Sequence, residues 1–164
     1  MTLVPTLAQP SQAERAFARL SPTAFPELPD NVVRNLQQRG CTIPQTAESK
    51  TRENVIRGEF ARPGQTDWAA LCYCKGFLAL YVFWKGSEVD VAVVGRRQFP
   101  AALPVAFETA IAPVNRKYIS DHHRAYGGPK PPPIDHQGIE SGGEKASMFL
   151  YYYQSKWLTL QGAD

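Results

Sequence analysis

The sequence predicts an α+β fold, a single domain in which an antiparallel sheet of about five to seven short strands carries two helices packed on it. Two observations carry this. Between Asn54 and Ser87, short apolar segments are cut by turn residues, as in consecutive antiparallel strands. Two other segments, 30–39 and 115–126, repeat apolar residues at helical spacing. At 164 residues the chain is long enough to bury a sizeable core, and it has no internal repeat or long linker to divide it. We expect residues 1–25 to form a disordered N-terminal segment and residues 26–164 the domain.

Residues 14–20 carry a weak helical pattern, followed by the proline-rich link Ser21–Pro29. Asp30 is placed to cap a helix over 30–39, with Val32, Val33 and Leu36 on one face and Gly40 as its stop. Val55 to Phe60 reads as a strand, and residues 61–65 as a turn set by Pro63 and Gly64. In the next strand Trp68, Ala70, Cys72 and Cys74 point one way and Ala69, Leu71 and Tyr73 the other. Lys75-Gly76 fits a two-residue hairpin turn. Phe77 to Trp84 is apolar on both faces, as a strand covered on both sides would be. Lys85 to Ser87 turns the chain into another strand, Glu88 to Val94.

Residues 106–111 suit either strand or helix, and Pro113 interrupts them. Asn115 caps a second helix that ends at Gly127-Gly128. The prolines of 129–133 force an extended or turning path. A closing hairpin, Ala146–Tyr153 with Trp157–Leu160, is expected to join the central sheet. Trp68, Leu71, Leu80, Val82, Trp84, Phe149 and Trp157 are the expected core.

The net charge of +3 comes from scattered basic residues rather than a stripe, so no nucleic-acid partner is expected. Phe149, Tyr151 and Tyr153 share a strand face of the kind that serves base stacking, but such aromatics more often pack a core. No run approaches the ~20 apolar residues of a membrane helix. The N-terminus has no basic and long apolar export signal, although Leu7-Ala8-Gln9-Pro10 resembles the tail of one.

All three histidines fall in one 16-residue span, as Asp121-His122-His123 and Asp135-His136. Imidazole and carboxylate suit zinc or iron. His122 and His123 are adjacent, however, so on a helix they diverge by about 100° and only one can converge with His136. A set of His122, His136 and Asp135 or Asp121 requires the proline-rich loop to fold back. The letters Asp-His-His also occur in the DHH phosphoesterases, whose further metal-binding aspartates this chain lacks. No Gly-x-Ser-x-Gly elbow or phosphate loop is present. Cys72 or Cys74 with His122 as base is disfavoured by the apolar surroundings of both thiols. No cofactor is expected. Lys130–Pro133 reads as a stiff strap across the surface or, less well, as a segment read by a partner.

Cys72 and Cys74 are two apart and point to the same strand face, an unsuitable geometry for bonding each other. Cys41 follows a helix end and can reach one of them, closing a loop of about 30 residues worth roughly 3 kcal/mol. Three buried thiols in a reducing compartment is the other reading.

Four runs carry a resemblance. They are Gly40-Cys41-Thr42-Ile43-Pro44-Gln45, Asn54-Val55-Ile56-Arg57-Gly58-Glu59-Phe60, Gln65-Thr66-Asp67-Trp68-Ala69, and 124–136 from Arg124 to His136. Together they resemble an uncharacterised family of bacterial predicted-secreted proteins, over roughly residues 25–164. The resemblance implies a single exported domain and a structural role for Cys41 with Cys72. It brings no activity. The start of this chain departs from it by lacking a complete export signal.

The expected function is a non-catalytic extracytoplasmic or secreted binding or interaction module, its partner an unknown small molecule or protein. A cytoplasmic location is the alternative compartment. If there is a site, it lies between the helix carrying His122 and the loop carrying Asp135 and His136. The rival is a metal-dependent hydrolase using His122, Asp135 and His136.

Overall fold

The computed structural model describes residues 17–99, 107–143 and 145–163. Among the described residues the fold has two α-helices and three antiparallel sheets. Strands β1 (Arg19–Leu20) and β2 (Ile43–Pro44) form a small ribbon. A four-stranded sheet follows in the order β3 (Val55–Gly58), β4 (Asp67–Cys74), β5 (Phe77–Phe83) and β6 (Val91–Gln98). The second four-stranded sheet has the order β10 (Lys156–Gln161), β9 (Ser147–Tyr153), β8 (Gly138–Gly142), β7 (Ala110–Val114). Helices α1 (Asp30–Gln38) and α2 (Arg116–Tyr126) complete it.

The alternation of side chains along the strands explains how these parts stack. Leu71, Leu78, Leu80, Val82 and Val94 of the first large sheet meet Ile111, Ile139 and Leu150 of the second in one buried cluster. The opposite face of the first sheet offers Ala70, Cys72 and Phe83 to Val32 and Leu36 of α1. The opposite face of the second offers Phe149, Tyr151 and Leu160 to Ile119 of α2. The layer order is therefore helix, sheet, sheet, helix.

This revises the expected single sheet of five to seven strands. The fold is α+β and antiparallel, but its strands are more numerous and divided among three sheets. The closing hairpin, β9 with β10, joins the second sheet, and each helix covers a different sheet. A strand covered by a helix on one face and by another sheet on the other is apolar on both faces. The pattern of β5 thus fits either arrangement.

Several local expectations hold. Lys75 and Gly76 have φ of 48° and 82°, the left-handed pair that a tight hairpin needs. Asn115 caps α2, its Oδ1 accepting from the Tyr118 amide at 2.9 Å. Gly40 ends α1 with φ 72°; its amide donates to Gln37 and that of Cys41 to Leu36, a Schellman closure. The two-sided pattern of β4 is as expected.

Others change. Asp30 makes no side-chain cap bond; it sits in the first turn of α1, where its charge complements the helix dipole. Residues 19–20 of the expected helical patch are strand, held by β2, while residues 14–16 lie outside the described residues. Phe25 is buried and Phe17 and Leu20 are packed, so the folded body extends upstream of residue 26. Residues 1–16, including Leu7–Pro10, lie outside the described residues. Residues 110–114 are strand despite Pro113, because β7 is an edge strand with one side free of ladder bonds. Trp68, Trp84 and Trp157 are only partly buried, at the margins of clusters whose interiors hold Leu71, Leu80, Val82 and Phe149. Trp84 stacks on Trp157 with ring centres 5.7 Å apart, and Tyr152 lies against both, closing one end of the gap between the large sheets.

Candidate functional site

The proline-rich segment delivers Asp135 and His136 onto strand β9. Ile134 is buried beneath α2 and anchors the turn into the core. His136 lies flat on Tyr151, ring centres 4.4 Å apart and planes 17° apart. Its Nδ1 is 2.6 Å from Asp135 Oδ1, and its Nε2 is 2.9 Å from the Tyr152 carbonyl. Each ring nitrogen thus has an oxygen within hydrogen-bond reach, and Nδ1 also lies 3.1 Å from the Tyr151 hydroxyl. The Tyr151 hydroxyl accepts from the Asp135 amide at 3.2 Å and donates to Asp135 Oδ1 at 3.3 Å. The hydrogen bond from His136 holds the Asp135 carboxyl below the usual carboxylate range. Burial pushes the Tyr151 hydroxyl up.

His122 sits on the partly exposed side of α2. Its Nδ1 lies 2.9 Å from the Tyr118 carbonyl one turn back. Its ring rests between Tyr118 and Phe149, at 4.2 and 5.1 Å. His123 closes the end of α2 through Nδ1 and the Gly127 carbonyl, 2.9 Å apart. Asp121 pairs with Lys117 and Arg124 on the same helix, and Lys117 holds its carboxyl low.

The sequence-predicted residues thus fall along one strand without forming a common centre. His122 contacts Phe149 and His136 contacts Tyr151, two residues further along β9. Among the described residues, no group of three or more His, Cys, Asp or Glu side chains is arranged to hold a metal. Phe149 and Tyr151 are fully buried and present no stacking surface.

Sequence reasoning missed a different set of polar residues. Asn54, buried with φ 71°, donates to the Pro44 and Thr109 carbonyls at 2.8 and 3.0 Å and accepts from the Ile111 amide at 3.0 Å. It therefore ties β2 to both large sheets. Gln45 donates to the Glu53 carbonyl at 3.0 Å and accepts from its amide at 2.9 Å. Asp67 is fully buried and accepts four N–H bonds. The signal for Asn54 was available: asparagine tolerates the left-handed region and stands just before a strand.

An open cleft of about 430 Å³ lies beside β7, floored by Phe107, Ala110, Ile111 and Ala112. Glu48, Glu53, Glu108 and Glu140 line it. Glu53 accepts from Thr46 Oγ1 at 2.7 Å and Glu140 from Ser147 Oγ at 2.8 Å, which fixes two of the carboxylates. Partial burial and the neighbouring Glu140 carboxylate push the Tyr118 hydroxyl up.

Cys41 and Cys72 are at disulfide-bonding distance, with Cα atoms 5.4 Å apart, and Cys74 is free. No described helix is long and apolar enough to cross a membrane. Comparison with protein-family models, with curated proteins and with solved structures finds no match for this chain.

Proposed function

We propose that the chain is a non-catalytic binding or interaction module that works outside the cytoplasm. The observation that carries this reading is the engagement of His136. Both of its ring nitrogens are spent on Asp135 and the Tyr152 backbone, and its face is covered by Tyr151. A general base needs a nitrogen within reach of a substrate proton, and a metal ligand needs a free lone pair. The hydrolase reading through His122, Asp135 and His136 thus requires the network to come apart first. Of the three, His122 and Asp135 keep accessible atoms.

The cysteine pair and the resemblance to exported bacterial proteins support the compartment. The cleft beside β7 is the seat that best suits a ligand. Its apolar floor and carboxylate walls match a small molecule or protein side chain with an apolar body and a positive group.

The reading is tested by amide-shift mapping with benzylammonium and benzoate as probes. Shifts confined to residues 46–49, 110–112 and 142–143, and seen with the ammonium alone, are expected. Equal response to both probes, or response elsewhere, removes the cleft as the seat. Metal analysis of purified protein decides between the classes: stoichiometric zinc or iron, lost on His122→Ala and His136→Ala, overturns the non-catalytic reading.

A further inference from the structure

The three cysteines occupy one corner of the fold, and the strand register there offers Cys41 two partners. Thr42 and Tyr73 exchange backbone hydrogen bonds of 3.0 and 2.8 Å in an antiparallel bridge. Cys41 precedes Thr42 and Cys74 follows Tyr73, so the two cysteines flank that antiparallel bridge at the same end. Cys72, two residues before Cys74 on β4, has its Cα 5.4 Å from that of Cys41. That separation suits a disulfide.

The position of the free thiol agrees with the register. Cys74 Sγ lies 3.2 Å from the Arg39 carbonyl and 3.5 Å from where a side chain on Gly40 would begin, so it sits alongside the residues just before Cys41. A groove of about 220 Å³, walled by Arg39, Lys75, Tyr81 and Arg96, opens onto Cys72 and Cys74 and admits water and small thiols.

We propose that these residues form a three-sulfur exchange site, in which Cys74 displaces Cys72 from its bridge to Cys41. Cys74 gives its proton to water, and its thiolate attacks Cys41 Sγ. The Cys41–Cys74 bond forms as the Cys41–Cys72 bond breaks, and Cys72 leaves as a thiolate that takes a proton from water. No electron is gained or lost overall, so the step needs no oxidant. Exchange moves the free thiol from the half-buried Cys74 to the buried Cys72.

The test is disulfide mapping of the oxidised full chain, incubated at pH 8, quenched with acid, alkylated and digested. Two bridges are expected, with alkyl label divided between Cys72 and Cys74. Cys74→Ser should retain only the Cys41–Cys72 bridge and show no label on Cys72. Cys72→Ser should form Cys41–Cys74. Label confined to Cys74 in the wild type after a day at pH 8 overturns the proposal, as does label on all three cysteines of air-oxidised protein. The wild-type map decides on its own if Cys72→Ser does not fold.

Discussion

Replacing Asp67 isolates what one buried carboxylate does for this fold. Oδ2 accepts from the Phe60 and Ala61 amides at 3.0 and 3.1 Å, and Oδ1 from the Gln65 side chain and the Lys85 amide at 2.7 and 2.9 Å. These bonds pin the 61–66 turn and the start of the 84–90 loop to the first residue of β4. Asp67→Ala leaves all four donors without an acceptor. A buried donor left unpaired costs ~1–3 kcal/mol. The bond to the Phe60 amide is wholly buried, whereas water can reach the other three in part. The expected loss is therefore about 3–5 kcal/mol, not four times the full penalty. Asp67→Asn keeps one oxygen for Phe60 and Ala61. Its amide then faces Gln65, which can turn its own amide to accept, and Lys85, which cannot. One partly wetted orphan predicts a loss of about 1–3 kcal/mol. With a urea slope of about 2 kcal/mol/M, the midpoint falls by roughly 0.5–1.5 M for Asn and 1.5–2.5 M for Ala. Equilibrium urea unfolding followed by tryptophan fluorescence, with the Cys41–Cys72 bridge intact, measures both. A midpoint for Asp67→Ala within about 0.3 M of wild type, or Asn falling below Ala, refutes this account.

Asn54→Ala removes three bonds that join β2 to both large sheets, and a loss of about 2–4 kcal/mol is expected, read as a melting temperature lower by roughly 5–12 °C. Gly58→Ala puts a methyl 2.6 Å from the buried Phe60 ring and 2.8 Å from Gln137 Oε1, so a loss of about 1–3 kcal/mol should appear in urea unfolding. Because His136 holds the Asp135 carboxyl low, its ionised form contributes stability above its unfolded value near ~3.9, and the contribution is lost as pH falls through the lowered folded value. The gap in urea midpoint between wild type and Asp135→Asn should thus stay constant from about pH 5 to 7 and close below about pH 4. Reduction of the Cys41–Cys72 pair, which spans 31 residues, should cost about 3–4 kcal/mol in a urea series with and without reductant.

Much of the local structure was legible because local chemistry decides it. Asn115, Gly40 and Lys75-Gly76 each do at their positions what their backbone preferences favour. The two faces of β4 followed from alternation alone. The partition into two large sheets was not legible. Leu80 and Phe83 are equally apolar, yet one faces the other sheet and the other faces α1. Only the pairing of β7 with β8, across a long separation from β6, settles which cover each face receives. Strand β7 itself was hidden by Pro113, which an edge position tolerates.

The candidate site was legible as a cluster but not in its use. Adjacent histidines and nearby carboxylates point to chemistry only if their lone pairs stay free. Whether His136 Nε2 meets a backbone carbonyl depends on how the proline strap crosses β9, and no spacing rule contains that. Similarly, Asp67 reads as a polar turn residue until the return of the Lys85 loop, 18 residues later, supplies its fourth donor.

The four buried polar side chains among the described residues are Gln45, Asn54, Asp67 and His136, and each lies in one of the four runs 40–45, 54–60, 65–69 and 124–136. Every one is satisfied from within the fold: Gln45 and Asn54 join segments around β2, Asp67 locks a turn and a loop, and His136 fastens the strap to β9. A buried polar group tolerates few replacements because its partners are left unpaired, so runs of this kind identify a scaffold rather than a reaction. Chains that share these runs should therefore share the sheets and the strap. The carboxylates and floor of the cleft beside β7 lie mostly outside the runs, Glu53 standing just before Asn54. Substitutions there, such as Glu48→Gln or Glu108→Gln, should leave the unfolding free energy within about 0.5 kcal/mol of wild type while changing the response to a cationic probe. A stability loss there comparable to that of Asp67→Ala would assign the cleft to the scaffold as well.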